Sequence, residues 1–230
     1  MTTALVLVPG LNNTAAVFDR LRAHLPAHLQ AQAVDNPALE SVDAIAQALL
    51  PTLPPRFWLV GFSFGGYVAL ALLAAAPQRV AGLAMVCSTP TADAPATAAR
   101  RQASLQAVAE GRYLQMIESQ AAAAFHPDSL RDGALMAERM AMVRAYGAER
   151  FSAHVRATIA RPDRTALLDG SRPTLVVGGS HDTLFTPQAL SYAQQVPGAR
   201  HVTIEGAGHL VPVEQPAVLA RCLVDWIEGR

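Results

Sequence analysis

Ser63 stands in the string Gly61-Phe62-Ser63-Phe64-Gly65-Gly66. A serine hydroxyl attacks a carbonyl carbon only when a base removes its proton, and that base needs an acid to fix its tautomer. Two residues far downstream supply those types. Asp182 lies in Gly178-Gly179-Ser180-His181-Asp182-Thr183, and His209 closes Gly206-Ala207-Gly208-His209. The order Ser63, Asp182, His209 is one of three convergent orders for a nucleophile, acid and base, and differs from those of chymotrypsin and subtilisin. Asp93 and Glu205 are rival acids, less well placed than Asp182. The chemistry these residues would perform together is acyl transfer through a covalent serine ester.

The GxSxG string by itself is weak, since roughly 0.04 occurrences are expected from this glycine and serine content. Its surroundings strengthen it. Short apolar runs rich in Val, Leu and Ile occur at residues 4–8, 57–60, 80–86, 174–177 and 201–204. Their apolar character is continuous, which marks strands buried on both faces of a parallel sheet. Helical stretches lie between and beyond them, at about 13–29, 42–50, 65–75, 186–195 and 216–228. Strand–helix alternation predicts an open α/β sheet with helices on both faces, in which chemistry sits at the carboxyl ends of the strands. Ser63, Asp182 and His209 each follow a predicted strand. The residue after the nucleophile, Phe64, opens a helix, so its N–H is a candidate donor to a developing oxyanion.

Residues 91–164 break the alternation. They read as helices at 97–110, 112–125, 129–146 and 148–159, with breaks near Gly111, His126-Pro127 and Gly147. The expected organisation is a core of residues 1–90 and 165–230 with a helical cap, 91–164, inserted between strands. Leu105, Val108, Leu114, Met116, Ile117, Phe125, Met136, Met140, Met142, Val143, Tyr146 and Phe151 are its apolar residues, available either to line a pocket or to pack cap on core. Arg156 and Arg161 are expected mainly in salt bridges, with a contact to a substrate carboxylate as the alternative.

These segments resemble the α/β-hydrolase fold serine hydrolases over essentially the whole chain. The resemblance rests on Leu7-Val8-Pro9-Gly10-Leu11, the elbow string with Tyr67 behind it, Pro77-x-Arg79-Val80, Pro173 to Gly178 with Asp182, and Gly208-His209 with Glu214-x-Pro216. It implies Ser63 as nucleophile, His209 as general base, Asp182 as the orienting acid, and Leu11 as the second oxyanion donor beside Phe64. Asn12 and Asn13 then either hold that loop or, more simply, cap the following helix. The implied activity is hydrolysis of a small apolar carboxylic ester or lactone without cofactor or metal. Carbon–carbon hydrolysis of a ring-cleavage product, perhydrolysis and non-catalytic ligand sensing are the alternatives. Two departures stand out: Pro9 replaces a common His, and Asp35-Asn36-Pro37-Ala38-Leu39-Glu40-Ser41 replaces a Gly-rich turn.

Composition narrows the classes. The chain has 230 residues, 51% hydrophobic and 16% charged, with 45 alanines. That is enough apolar material for one large core. Eighteen arginines, with no lysine, balance eighteen acidic residues, which leaves no electrostatic footprint for nucleic acid or an anionic membrane. Cys87 and Cys222 form no CxxC and no Cys/His cluster, so a reducing cytoplasm is expected. The N-terminal apolar run stops at Pro9-Gly10 and reads as a strand rather than a signal peptide. His24 and His28 are separated by Pro26 and make a poor metal pair. The expected partner is a small-molecule substrate, and a homodimer is allowed.

Overall fold

The structure is a computed structural model that describes residues 2–230. Six strands, β1 Thr3–Val8, β2 Leu29–Ala33, β3 Phe57–Phe62, β4 Val80–Val86, β5 Thr174–Gly179 and β6 Arg200–Ile204, form one sheet in the order β2-β1-β3-β4-β5-β6. Every pairing is parallel. The central strands are buried along nearly their whole length, so continuous Val/Leu runs are what both faces require. One face packs Val6, Leu59, Leu83 and Met85 under helices Val42–Leu49 and Phe64–Ala75. The other packs Leu5, Leu7, Val60, Phe62 and Val177 under the C-terminal helix Pro216–Ile227.

Chain direction around the sheet reverses between β1 and β3. The carboxyl ends of strands flanking such a switch point open a crevice for a ligand. Here the loop after β1 begins at Pro9 and the turn after β3 holds Ser63.

Two stretches differ from the sequence reading. A helix is expected over 13–29, but the chain forms only short turns at Ala15–Phe18 and Asp19–Arg22 before entering β2. β2 reads Leu-Gln-Ala-Gln-Ala, residues with good helix propensity. Pairing with β1, from Thr3 against Leu29 to Leu7 against Ala33, overrides that propensity at this half-covered edge. The helix expected at 186–195 is a five-residue 3₁₀ turn, Ser191–Gln195.

Between β4 and β5 run the helices Pro95–Ala109, Tyr113–Ser119, Ala121–Ala124, Gly133–Tyr146 and Ala148–Ile159. They share a small apolar core of Tyr113, Ile117, Val143, Tyr146, Phe151 and Val155. Asp132 caps the fourth of them by accepting from Leu135 N–H at 3.0 Å. Gly147, at φ 83°, makes the turn into the fifth that a side chain would disfavour. Among the described residues no helix is long and apolar enough to cross a membrane.

Candidate active site

β3 ends at Phe62, and the helix Phe64–Ala75 starts at once. The single residue between them, Ser63, has φ 53° and ψ −118°. A non-glycine residue held there costs on the order of 1–3 kcal/mol and persists only where its surroundings enforce it. The enforcement is visible. Ser63 N–H donates to Val86 O at 2.8 Å, and Ser88 Oγ–H donates to Ser63 O at 2.8 Å. The flanking glycines are steric necessities: a Cβ on Gly61 would lie 2.6 Å from Gly65 O, and one on Gly65 would lie 2.0 Å from Val8 O.

His209 follows β6 on a loop and faces this turn. Its Nε2 is 2.9 Å from Ser63 Oγ, and its Nδ1 is 2.8 Å from Asp182 Oδ2. An ionised carboxylate only accepts, so Nδ1 carries the proton and Nε2 is left to accept from the serine hydroxyl. The ring is held between Phe185, nearly parallel at 5.5 Å between centroids, and Phe62 at 5.3 Å. Asp182 Oδ1 accepts from the N–H groups of Leu184 and Phe185 at 2.8 and 2.9 Å. Burial works to raise the Asp182 pKa, but the His209 charge and hydrogen bond, with those two N–H groups, outweigh it and hold the carboxyl below its ordinary value. The three predicted residues therefore meet, although 146 positions separate Ser63 from His209.

The rival acids lie elsewhere. Asp93 is buried between Arg101, at 2.5 Å, and Arg161, at 2.8 Å. Glu205 is exposed. Arg161 also donates to Thr91 O and Thr158 O, and lies 3.8 Å over the Tyr67 ring. Arg156 makes an exposed pair with Glu40.

Cys87, His209 and Asp182 bring one ligand-type atom each to within 4.8 Å of one another. They make a poor metal site, because the imidazole and carboxylate are already bonded to each other. Burial first, and then the Asp182 charge, push the Cys87 thiol well above its ordinary pKa. A protonated, buried thiol is neither a metal ligand nor a rival nucleophile.

Asn12 and Asn13 do not cap a helix. The residue at the cap position, Thr14, makes no side-chain bond there either. Instead Asn13 Nδ2 donates to Leu11 O at 2.7 Å, and Asn12, at φ 60°, accepts at Oδ1 from Tyr113 O–H at 2.8 Å. Arg139 donates to Asn12 O and Asn13 Oδ1 at 2.7 and 2.8 Å. The loop that carries Leu11 is thus held by side chains of the inserted helices.

Those helices hold the His209 loop as well. His209 N–H donates to Ala124 O. Glu214 accepts from Gly208 N–H at 2.9 Å and from His126 N–H at 2.7 Å. Tyr113, Arg139 and Glu214 in these roles, and Ser88 beneath the elbow, lie outside the triad that sequence order picks out. A carboxylate at Glu214, just after Gly208-His209, was the one local signal among them.

Ser63, His209, Leu11 and Phe64 open onto a cavity of about 980 Å³, at the upper end of the usual size for small-molecule sites. Of the predicted apolar residues, Ile117, Phe125, Met136, Met140 and Phe151 line it. Leu105, Val108, Met116, Val143 and Tyr146 instead pack among the inserted helices, Met142 packs toward the sheet, and Leu114 is exposed.

A family model described as "alpha/beta hydrolase fold" matches residues 34–216. A pimeloyl-[acyl-carrier protein] methyl ester esterase from Nitrosomonas europaea is 26% identical, over 95% of this chain and 93% of its own. A 2-succinyl-6-hydroxy-2,4-cyclohexadiene-1-carboxylate synthase from Enterobacter sp. is 30% identical, over 93% and 83%. A thermophilic esterase from Thermogutta terrifontis superposes with a TM-score of 0.88 at 24% identity, covering 100% of this chain and 90% of that one. At that identity the superposition speaks for the fold alone.

Proposed function

Since the chain belongs to the alpha/beta-hydrolase fold family and is an enzyme acting on ester bonds, we propose that it is a serine esterase for small carboxylic esters or lactones. Ser63 Oγ bonds to the carbonyl carbon as its proton passes to His209 Nε2. The tetrahedral oxygen anion lies against the N–H groups of Phe64 and Leu11, each worth about 3 kcal/mol as an oxyanion donor. Collapse breaks the ester C–O bond, and His209 returns the proton to the leaving alkoxide. Water then attacks the acyl carbon, giving a proton to His209; the bond to Ser63 Oγ breaks, His209 returns that proton to Oγ, and the acid leaves. In a lactone, alcohol and acid leave as one hydroxy acid. Asp182 stays ionised throughout and stabilises the imidazolium.

Residues 91–164 act in this reading as a cap that excludes water and shapes the cavity, over a core of 1–90 and 165–230. Two free cysteines, one buried and one half-buried, suit a reducing compartment. The observation that carries the proposal is the unbroken hydrogen-bonded chain from Ser63 through His209 to Asp182, open to the cavity at its serine end.

A fluorophosphonate probe and turnover of 4-nitrophenyl butyrate test it. Wild-type protein should be labelled and should turn over the ester. Ser63→Ala and His209→Ala should each lose turnover by about the same factor, on the order of 10⁴ or more, because members of a triad act as a unit. Labelling that persists in Ser63→Ala, or a merely tenfold loss in His209→Ala, would overturn the assignment.

A further inference from the structure

Four arginines, Arg100, Arg101, Arg139 and Arg161, line the cavity with two acidic residues, Asp93 and Glu118. That surplus stands out in a chain whose eighteen basic and eighteen acidic residues cancel. Asp93 is fully taken up by Arg101 and Arg161. Arg100 and Glu118 are exposed at the rim. Arg139 is left.

Its guanidinium lies half-buried between the loop after β1 and the helix Gly133–Tyr146. Among the described residues it pairs with no carboxylate; its hydrogen bonds go to two neutral oxygens, Asn12 O and Asn13 Oδ1. Burial pulls its pKa down to about 10, which still leaves it charged at neutral pH. A half-buried cation whose only hydrogen bonds go to amide oxygens is costly to maintain, and an anion arriving in the same cavity relieves that cost. Guanidinium presents a planar fork that matches a carboxylate with two parallel N–H bonds.

Building on the esterase reading, we infer that the ester substrate carries a second, ionised carboxylate and that Arg139 is its counter-ion. The favoured substrate class is the half-ester of a dicarboxylic acid. With the exposed Arg100 set aside at the rim, one unpaired guanidinium matches one negative charge, which favours a carboxylate over a dianionic phosphate. Ile117, Met140 and Phe151 on the same walls suit an apolar spacer between the two ends.

The test compares monomethyl adipate with methyl hexanoate, an uncharged ester of the same acyl length, in wild-type protein and in Arg139→Gln. Wild-type kcat/KM should favour the half-ester by about tenfold or more, as a charge-assisted, two-pronged contact would give. Arg139→Gln should cut that preference by about tenfold, mainly through KM. Because Arg139 also touches Asn12 and Asn13, methyl hexanoate reports any damage to that loop, and the ratio between the two esters isolates the charge. A wild-type preference for methyl hexanoate, or a ratio that Arg139→Gln leaves unchanged, would overturn the inference. Should Arg139→Gln fail to fold, the wild-type ratio alone decides. A protein that hydrolyses neither ester would instead refute the esterase reading.

Discussion

His154 makes stability depend on pH in a way that can be worked out before measurement. It lies on the helix Ala148–Ile159 with no exposed surface. Its Nε2–H donates to Pro37 O at 2.7 Å, Nδ1 accepts from Tyr146 O–H, and its ring stacks on Phe64 with centroids 4.7 Å apart. A carbonyl only accepts, so the proton sits on Nε2 and the imidazole is neutral. Burial keeps the Tyr146 phenol protonated by driving its pKa up, which preserves it as the donor. Burial likewise lowers the His154 pKa to about 4; the Pro37 carbonyl opposes this and the nearby Arg150 charge adds to it.

The unfolded imidazole, near 6.5, binds a proton that the folded one refuses, so stability rises with pH across this interval. The contribution is complete above about pH 6.5 and drains away as pH falls toward 4. At roughly 1.4 kcal/mol per unit it amounts to about 2.5 kcal/mol lost between pH 7 and 4.5. Urea unfolding at a series of pH values, for wild type and His154→Gln, reads it directly. The variant should be less stable at pH 7 and lose less on acidification, so the two curves converge by about that amount. Curves that stay parallel from pH 7 to 4.5 would refute the reasoning.

Two further substitutions probe Asp182 and the turn that carries Ser63. Asp182→Asn, which cannot hold the same histidine tautomer as a carboxylate, should lower kcat by about 10⁴ while the fold persists, and near-normal ester turnover would remove Asp182 from the acid's role. Gly65→Ala places a methyl 2.0 Å from Val8 O, where neither backbone can yield cheaply, so thermal unfolding should show a loss of several kcal/mol; an unchanged midpoint would mean that the junction of β1 with the elbow helix is looser than its geometry.

The parallel sheet and the elbow were readable because their determinants are local. Continuous Val/Leu runs announce doubly buried strands, and Gly61, Ser63 and Gly65 lie within five positions of one another between a strand and a helix. β2 was unreadable for the opposite reason. Leu29–Ala33 has no strand-like composition, and pairing with β1 alone decides its state. Asp182 and His209 were found through their place after strands, which bounds where a side chain can point without fixing what it touches.

What the sequence concealed are contacts between residues about a hundred positions apart, each unremarkable in its own segment. Tyr113 and Arg139 belong to two of the inserted helices and His154 to a helix face that any apolar residue could fill. Nothing nearby distinguishes an arginine on the surface from one that holds Asn12 across 127 positions, or a histidine packed in a core from one bonded to Pro37 across 117. These long-range bonds run from the inserted helices to the loops after β1 and β2, and Glu214 reaches back from beyond β6 to His126. The proposed triad is carried by three core loops, whereas the shape of its oxyanion loop is borrowed from the helices above. Tyr113→Phe, at a residue that does not line the cavity, should therefore lower turnover of 4-nitrophenyl butyrate, because the Tyr113 bond to Asn12 helps hold the loop that carries Leu11.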